Sequence, residues 1–204
     1  EAIVCNYCEF IALVHDIGKL TPAFQRKLKD NIQGLADRLL DAGIDLSDLT
    51  HISESPHNIA GQYILKKEFE VAPSTAVIVG AHHGDCSSDR GQCSYKANYY
   101  GHGKVNVNEW TQIRAEWMEY ALSVTGFENV KNLPNPDIAA QMLITGLLVM
   151  SDWIASNTDY FPYRDIEEKL TDEQCEERVR RAWKKLSLTD SWYADFNSDS
   201  DSFF

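Results

Sequence analysis

Several histidines and carboxylates of this chain stand where the backbone turns, next to one another or next to Gly and Pro. His15 and Asp16 follow an apolar run and precede Gly18 and Lys19 in "LVHDIGKLT" (13–21). His82 and His83 close the apolar segment "AVIVGA", and His57 comes directly after Pro56. Asp152 follows "MLITGLLVM" (142–150), the longest apolar stretch. A carboxylate on an apolar helix is costly unless it is paired or bound to a metal. One turn to either side of Asp152 lie Leu148 and Ser156, so one flank reads as core and the other as a polar pocket. Imidazole and carboxylate donors in this mix suit a first-row ion with hydrolytic chemistry: Mn, Fe, Co, Ni or Zn. Asp16 can bridge two such ions about 3.5–4 Å apart, a pair that lowers the pKa of bound water and clamps the oxygens of a phosphoryl centre. Lys19, one turn past His15, can meet a phosphate or stabilise developing charge. Each residue also has a plainer reading, as a cap, a core histidine or a surface lysine. His51 and His102 lie in loop-like stretches and are not counted as ligands.

The elements that must position these groups read as helices. Residues 1–15 carry apolar groups around a helix that ends near "HDIGK", with Gly18 as its stop. Thr21 caps a second helix, "PAFQRKLKDNI", with Pro22 in its first turn. Residues 34–50 read as a short amphipathic helix and a loop. Pro56 precedes "HNIAGQYILKKEF", where Ile59, Tyr63, Ile64 and Phe69 form a packed stripe. Pro73 and Ser74 open the short helix that carries His82 and His83 at its end. Residues 84–108, rich in Gly, Ser, Asn and Tyr, read as a long loop of the kind that is often functional. A helix over about 109–124 offers Trp110, Ile113, Trp117 and Leu122 for burial. A buried helix starts near Asp137 and runs through Asp152, and "EEKLTDEQCEERVRRAWKKL" is a charged, solvated helix. Strand signals are scarce and no internal repeat is present, so the chain reads as all-α.

Composition narrows the classes. The 44% apolar content of the 204 residues suffices for one ordinary core. No run of about 18 apolar residues appears, which argues against a membrane span. The N-terminus lacks a basic region and a cleavage pattern, so it is no signal peptide. It also lacks an initiator Met, which suggests a fragment. Five cysteines, an odd number, argue against a disulfide scaffold and fit a cytoplasmic protein. Cys5 and Cys8 resemble half a zinc site, but Cys86 and Cys93 do not complete it, and idle thiols are the simpler reading. The net charge of −12 is unexpected for a domain that grips a long polyanion.

The segments "HDIGKLTPAFQ", "SPHNIAGQYIL", "VGAHHGD" and "SDWIASN", in this order, resemble the HD superfamily. More closely they resemble the HD nuclease domain of the CRISPR-associated helicase–nuclease of type I interference, over about residues 1–165. The resemblance implies a compact HD-domain helical bundle over residues 1–190, with a linker-like tail at 191–204 leading towards a helicase. It implies metal-dependent cleavage of single-stranded DNA, fed by a helicase domain in the same or a partner chain and recruited by a CRISPR target-bound effector complex. By position, His15, Asp16 and Asp152 match the ligands of one divalent ion. Asp16, His57, His82 and His83 match those of a second. Lys19 matches the motif lysine, and Ser156 and Asn157 match polar neighbours that contact substrate. In one respect the chain departs from the pattern. The family carries a further His upstream as a ligand of the first ion, whereas none of the 14 residues before His15 is His. A cut after that His, the absence of that segment from the sequence at hand, or an incomplete first site would each give this sequence, and loss of the ligand would weaken binding of that ion.

The resemblance also eases the charge problem, because the helicase and the effector would hold most of the nucleic acid. Tyr95, Tyr99 and Tyr100 in the long loop are candidates to stack on bases. Two further functions stay open: an HD phosphohydrolase acting on nucleotides or cyclic dinucleotides, and a non-catalytic docking domain with an incomplete metal site. Neither involves a membrane.

Overall fold

In a computed structural model, the described residues are 2–29, 32, 34–44, 46, 49, 52–84, 97–102, 107–165 and 168–188. They form eight α-helices and no strand. The helices are α1 (Ala2–Val14), α2 (Pro22–Lys29), α3 (Leu35–Asp41), α4 (His57–Lys67), α5 (Pro73–Gly80), α6 (Val107–Thr125), α7 (Ile138–Ser156) and α8 (Asp172–Leu186). Two compact units divide the chain, residues 1–151 and 152–204. His51, Tyr95, Cys86, Cys93 and the tail at 191–204 lie outside the described residues.

The first unit is built around α1, α4, α5 and α6. Tyr7, Phe10, Ile11 and Val14 of α1 pack with Ile64 and Leu65 of α4, Ile78 and Val79 of α5, and Met118 and Ala121 of α6. The Tyr7 hydroxyl shares a buried 2.7 Å hydrogen bond with Thr75 Oγ1, so the polar tip of that core ring is satisfied. The stripe expected on α4 is present. Ile59 and Ile64 are buried, Phe69 packs on the core, and Tyr63 stacks on Tyr100 with ring centroids 5.2 Å apart.

Local signals in the sequence account for the ends of these helices. Thr21 Oγ1 accepts from the Phe24 amide at the start of α2 and donates to Gly18 O. Pro73 opens α5. Asp137 Oδ1 accepts from Ala140 N at the start of α7, and Thr171 with Gln174 forms a reciprocal capping box on α8.

A buried ion pair joins α4 to α6. Arg114 is fully buried, and its Nε and Nη2 donate to the two carboxylate oxygens of Glu68 at 2.8 and 2.9 Å. Its Nη1 donates to Leu20 O at 2.8 Å, directly after the turn that carries Lys19. His102, not expected to be a ligand, meets the same carboxylate at 2.5 Å.

Four expectations need correction. Gly18 does not stop α1 in a left-handed conformation. It lies in the 3-10 turn Ile17–Lys19 outside the positive-φ region, and it is small because α4 passes against it. On α6, Trp110 is buried, but Ile113 and Trp117 stay partly exposed, Trp117 using its indole N–H on Leu13 O. Tyr99 and Tyr100 are buried, Tyr100 against Tyr63, so their rings are packing groups and not open platforms for bases.

The fourth correction concerns α7. Its bounds match the sequence pattern, but only Leu148 is buried, while Ile138, Met142, Leu143, Leu147, Met150 and Trp153 are exposed. By length and mean hydropathy, 1.6 over its best window, this helix is apolar enough to cross a membrane. A search for an unbroken apolar run misses this, because Gln, Thr, Gly, Ser and Asp interrupt the run without lowering the mean far.

Candidate metal centre

The turn after α1 places the first pair of site residues. His15 and Asp16 leave α1 at its C-terminal end, and the 3-10 turn Ile17–Lys19 folds the chain back against α4. A Cβ on Gly18 would lie 1.9 Å from His57 O and 2.6 Å from Gly61 N, so only glycine allows this approach. Gln25 Nε2 donates to Lys19 O at 3.0 Å and holds α2 to the same turn.

A second fastening brings the other histidines in. Asn58, buried beside His57, donates through Nδ2 to Gly80 O at 2.8 Å and ties the start of α4 to the end of α5. Gly80 again leaves no room, since a Cβ there would lie 2.2 Å from Gln62 Oε1. His82 and His83 therefore follow α5 directly over His57. The His57 Nε2 lies 3.2 Å from His82 Nε2 and 3.1 Å from His83 Nε2. One nitrogen from each of the three rings falls within 4.8 Å of the others, the one such metal-binding group among the described residues.

Asp16 sits against this cluster. Its Oδ1 lies 3.2 Å from His57 Nε2 and 3.8 Å from His82 Nε2; its Oδ2 lies 3.2 Å from His15 Nε2 and 2.6 Å from Lys19 Nζ. Burial on its own would raise the Asp16 pKa. The contacts with His15, His57 and Lys19 outweigh it and hold the carboxyl well below the usual carboxylate range. Asp16 is therefore an anion at every physiological pH. Burial pushes His82 the other way, down to about 4, with the carbonyl of Val79 partly opposing and the neighbouring histidines adding to the fall. His82 is a neutral imidazole.

Tautomers follow from the carbonyls behind the rings. His82 Nδ1 lies 2.6 Å from Val79 O, and His15 Nδ1 lies 2.6 Å from Ala12 O. A carbonyl only accepts, so each Nδ1 carries a proton, and the neutral His82 ring offers a lone pair at Nε2. That arrangement is how a ligating imidazole is oriented from behind. The donor set fits a divalent cation: Asp16 Oδ1, a buried carboxylate oxygen, accepts no well-formed hydrogen bond, and ring nitrogens crowd it.

The structure thus gathers His15, Asp16, Lys19, His57, His82 and His83 within the first unit. Asp152, half-buried in the last turns of α7, opens the second unit. Ser156 and Asn157 belong to that unit as well. Ser156 Oγ donates to Trp153 O, and Asn157 Oδ1 accepts from Asp159 N at 2.8 Å, so both shape the turn after α7. Cys5 and Cys8 are free thiols on α1. The sequence reading passed over Asn58, Gly80 and Arg114. Asn58 was discoverable as a polar residue adjoining His57, whereas nothing local marks Gly80 or Arg114.

The family model described as the HD domain of Cas3 matches residues 1–161. The CRISPR-associated nuclease/helicase Cas3 of Streptococcus thermophilus is 37% identical over 199 residues, covering 90% of this chain and 21% of the relative. A solved structure, the crystal structure of a CRISPR-associated protein, superposes with a TM-score of 0.67 at 24% identity over 95% of this chain and 22% of the other, which bears on the fold. The chain therefore spans about a fifth of the length of the relatives it matches. All-helical in its described residues, with His15, His57, His82 and His83 gathered around Asp16, the chain belongs to the Cas3 HD domain family.

Proposed function

We propose that this chain is a metal-dependent nuclease domain that cleaves single-stranded DNA in type I CRISPR interference, in the cytoplasm. The observation that carries the reading is the convergence of the His57, His82 and His83 nitrogens beside Asp16. His57, His82, His83 and Asp16 would hold one divalent ion, and His15 with Asp16 would serve a second. Such ions supply an activated water at neutral pH and charge stabilisation on the phosphoryl oxygens. Asp16 brings a permanent negative charge to both positions. Its anionic state does not depend on pH in the working range. Lys19, two-fifths exposed, can turn its ammonium from Asp16 towards a phosphate oxygen of the strand. The buried face of His82 keeps bulk water from one side of the site.

A helicase is the expected partner, as the fused nuclease/helicase name of the Streptococcus thermophilus relative supports. The exposed apolar side chains of α7 support a protein neighbour for this domain. Asp152 in that helix, and the family model that runs through it, favour such a neighbour over a lipid bilayer.

The test uses circular single-stranded DNA, which has no ends. With Mn²⁺ or Co²⁺ the chain should linearise and degrade it, chelator should stop the reaction, and Asp16→Ala should abolish it while helical content is kept. Elemental analysis after dialysis should find bound metal in the wild type and less in His82→Ala. Intact DNA with a metal-loaded chain would refute the reading. The net charge of −12 favours one competitor, a phosphohydrolase of small nucleotides. Turnover of nucleotides by a chain that leaves DNA intact would establish that function instead.

A further inference from the structure

The second unit contains an open cleft of about 580 Å³ between the turn after α7 and one face of α8. Its cations come from Arg164 on the turn and from Arg178, Arg181 and Lys185 on the helix. The last three stand at i, i+3 and i+7, a single stripe along α8. Two aromatic rings, Tyr160 and Tyr163, line the same cleft.

α8 sorts its charges by face. Its carboxylates Glu176 and Glu177 pair with Arg180. None of the ion pairs among the described residues uses Arg178, Arg181 or Lys185. Two of these reach peptide carbonyls: Arg178 Nη2 donates to Pro162 O at 3.1 Å, and Lys185 Nζ donates to Asp159 O at 2.8 Å. Each also lies over a ring, Arg178 over Phe161 at 5.9 Å and Lys185 over Tyr160 at 5.8 Å. These contacts fasten the turn to the helix and hold the two heads in place without neutralising them. Three carboxylates, Asp159, Asp165 and Glu168, line the cleft with the four cations, and Glu168 is engaged by Arg164. Tyr163 is 88% exposed, an aromatic ring that stands open among the described residues.

A large open ring beside a row of three cations, two of them held in place and none used in an ion pair among the described residues, matches one ligand chemistry: an unpaired base with its phosphodiester. The base stacks on the ring and the phosphates follow the cations. The volume is in the range of sites that hold a molecule of nucleotide size. A duplex, with its bases closed, cannot use Tyr163. We propose that this cleft binds a short stretch of single-stranded nucleic acid, with a base on Tyr163 and the backbone along Arg178, Arg181 and Lys185. The proposal deepens the reading of the chain as a single-strand nuclease, and it rests on that reading for its biological sense. It also locates a cationic track in a chain whose net charge is strongly negative.

The test measures fluorescence anisotropy of a labelled oligothymidylate with the whole chain in chelator, where no cleavage occurs. The wild type should bind with an affinity that falls as salt rises. Tyr163→Ala should weaken binding about tenfold and Tyr163→Phe should leave it intact, because stacking needs the ring and not the hydroxyl. Arg181→Glu should weaken it about fivefold and lower the slope against log salt by about one. Arg180→Glu, the same charge change on the opposite face, should have no such effect. Unlabelled single strand should displace the probe, and unlabelled duplex should not. Both key side chains are exposed, so their variants fold. Absence of wild-type binding, indifference to Tyr163→Ala and Arg181→Glu, or an equal loss with Arg180→Glu would each overturn the proposal. The two readings also fail separately. Metal-dependent cleavage with unaffected binding in the variants removes the cleft alone. Cleft-dependent binding with no cleavage under any metal removes the nuclease alone.

Discussion

Gly18→Ala is the smallest change that should dismantle the candidate metal centre. The new methyl would lie 1.9 Å from His57 O and 2.8 Å from His57 C, both backbone atoms. Ordinary contact begins near 3.4 Å, so the 3-10 turn and α4 must part by about 3.4 − 1.9 = 1.5 Å. Neither side can yield locally, since Asn58 ties α4 to Gly80 and Arg114 holds Leu20 O. The shift separates the residues that matter: Asp16 rides on the turn, and His57 heads the helix that is pushed away. Their present 3.2 Å contact would open towards 4.7 Å, taking 3.2 + 1.5. Overpacking of this kind costs about 1–3 kcal/mol. At about 2–4 °C per kcal/mol for a domain of this size, the melting temperature should fall by up to about 12 °C. A displacement of about 1 Å in a catalytic constellation can cost about 100-fold in rate, and the affinity for Mn²⁺ should fall with it. Gly61→Ala is the internal control. It lies on the same interface, but its Cβ would meet Gly18 N and Val79 at 3.4 Å, an ordinary contact. Thermal melts by circular dichroism and calorimetric Mn²⁺ titration read both variants. A Gly18→Ala chain that melts within 1 °C of wild type and binds metal unchanged would refute the reasoning.

Three further outcomes follow from the same contacts. Arg114→Met takes two charge-assisted hydrogen bonds from half-buried Glu68, leaves it with His102, and should cost about 3 kcal/mol in urea unfolding, whereas Arg114→Met with Glu68→Leu should recover most of the loss. In chelator, stability should fall between pH 6.5 and about 4, because unfolded His82 takes up a proton near its ordinary value while the folded ring resists until about 4. The difference is on the order of 3 kcal/mol, fully present above pH 6.5 and lost as the pH falls, and unfolding curves of His82→Asn should lack that part of the slope. Gly146→Ala, at a position in α7 with nothing within 4 Å, should raise stability by about 0.5–1 kcal/mol in the same assay.

Much of this protein is written locally. Pro22, Thr21, Pro73 and Asp137 mark helix starts that the structure confirms, because caps and prolines act within one turn. The apolar stripe of α4 and the all-helical class were legible for the same reason. So was the candidacy of His57, His82, His83 and Asp16, since imidazoles and carboxylates at helix ends limit the chemistry to a few kinds. What the sequence by itself could not decide is convergence. His57 and His82 are brought to 3.2 Å by the Asn58–Gly80 bond and by two glycines whose value lies in what passes beside them. Burial was equally a tertiary matter. The hydropathy of α7 promised core and the structure leaves that helix exposed, while Tyr99 and Tyr100, in a polar loop, went inside. Local propensity depends on neighbours a few residues away, and it is readable in one dimension. Which surfaces meet depends on contacts between residues far apart in the chain, and only the folded molecule settles those.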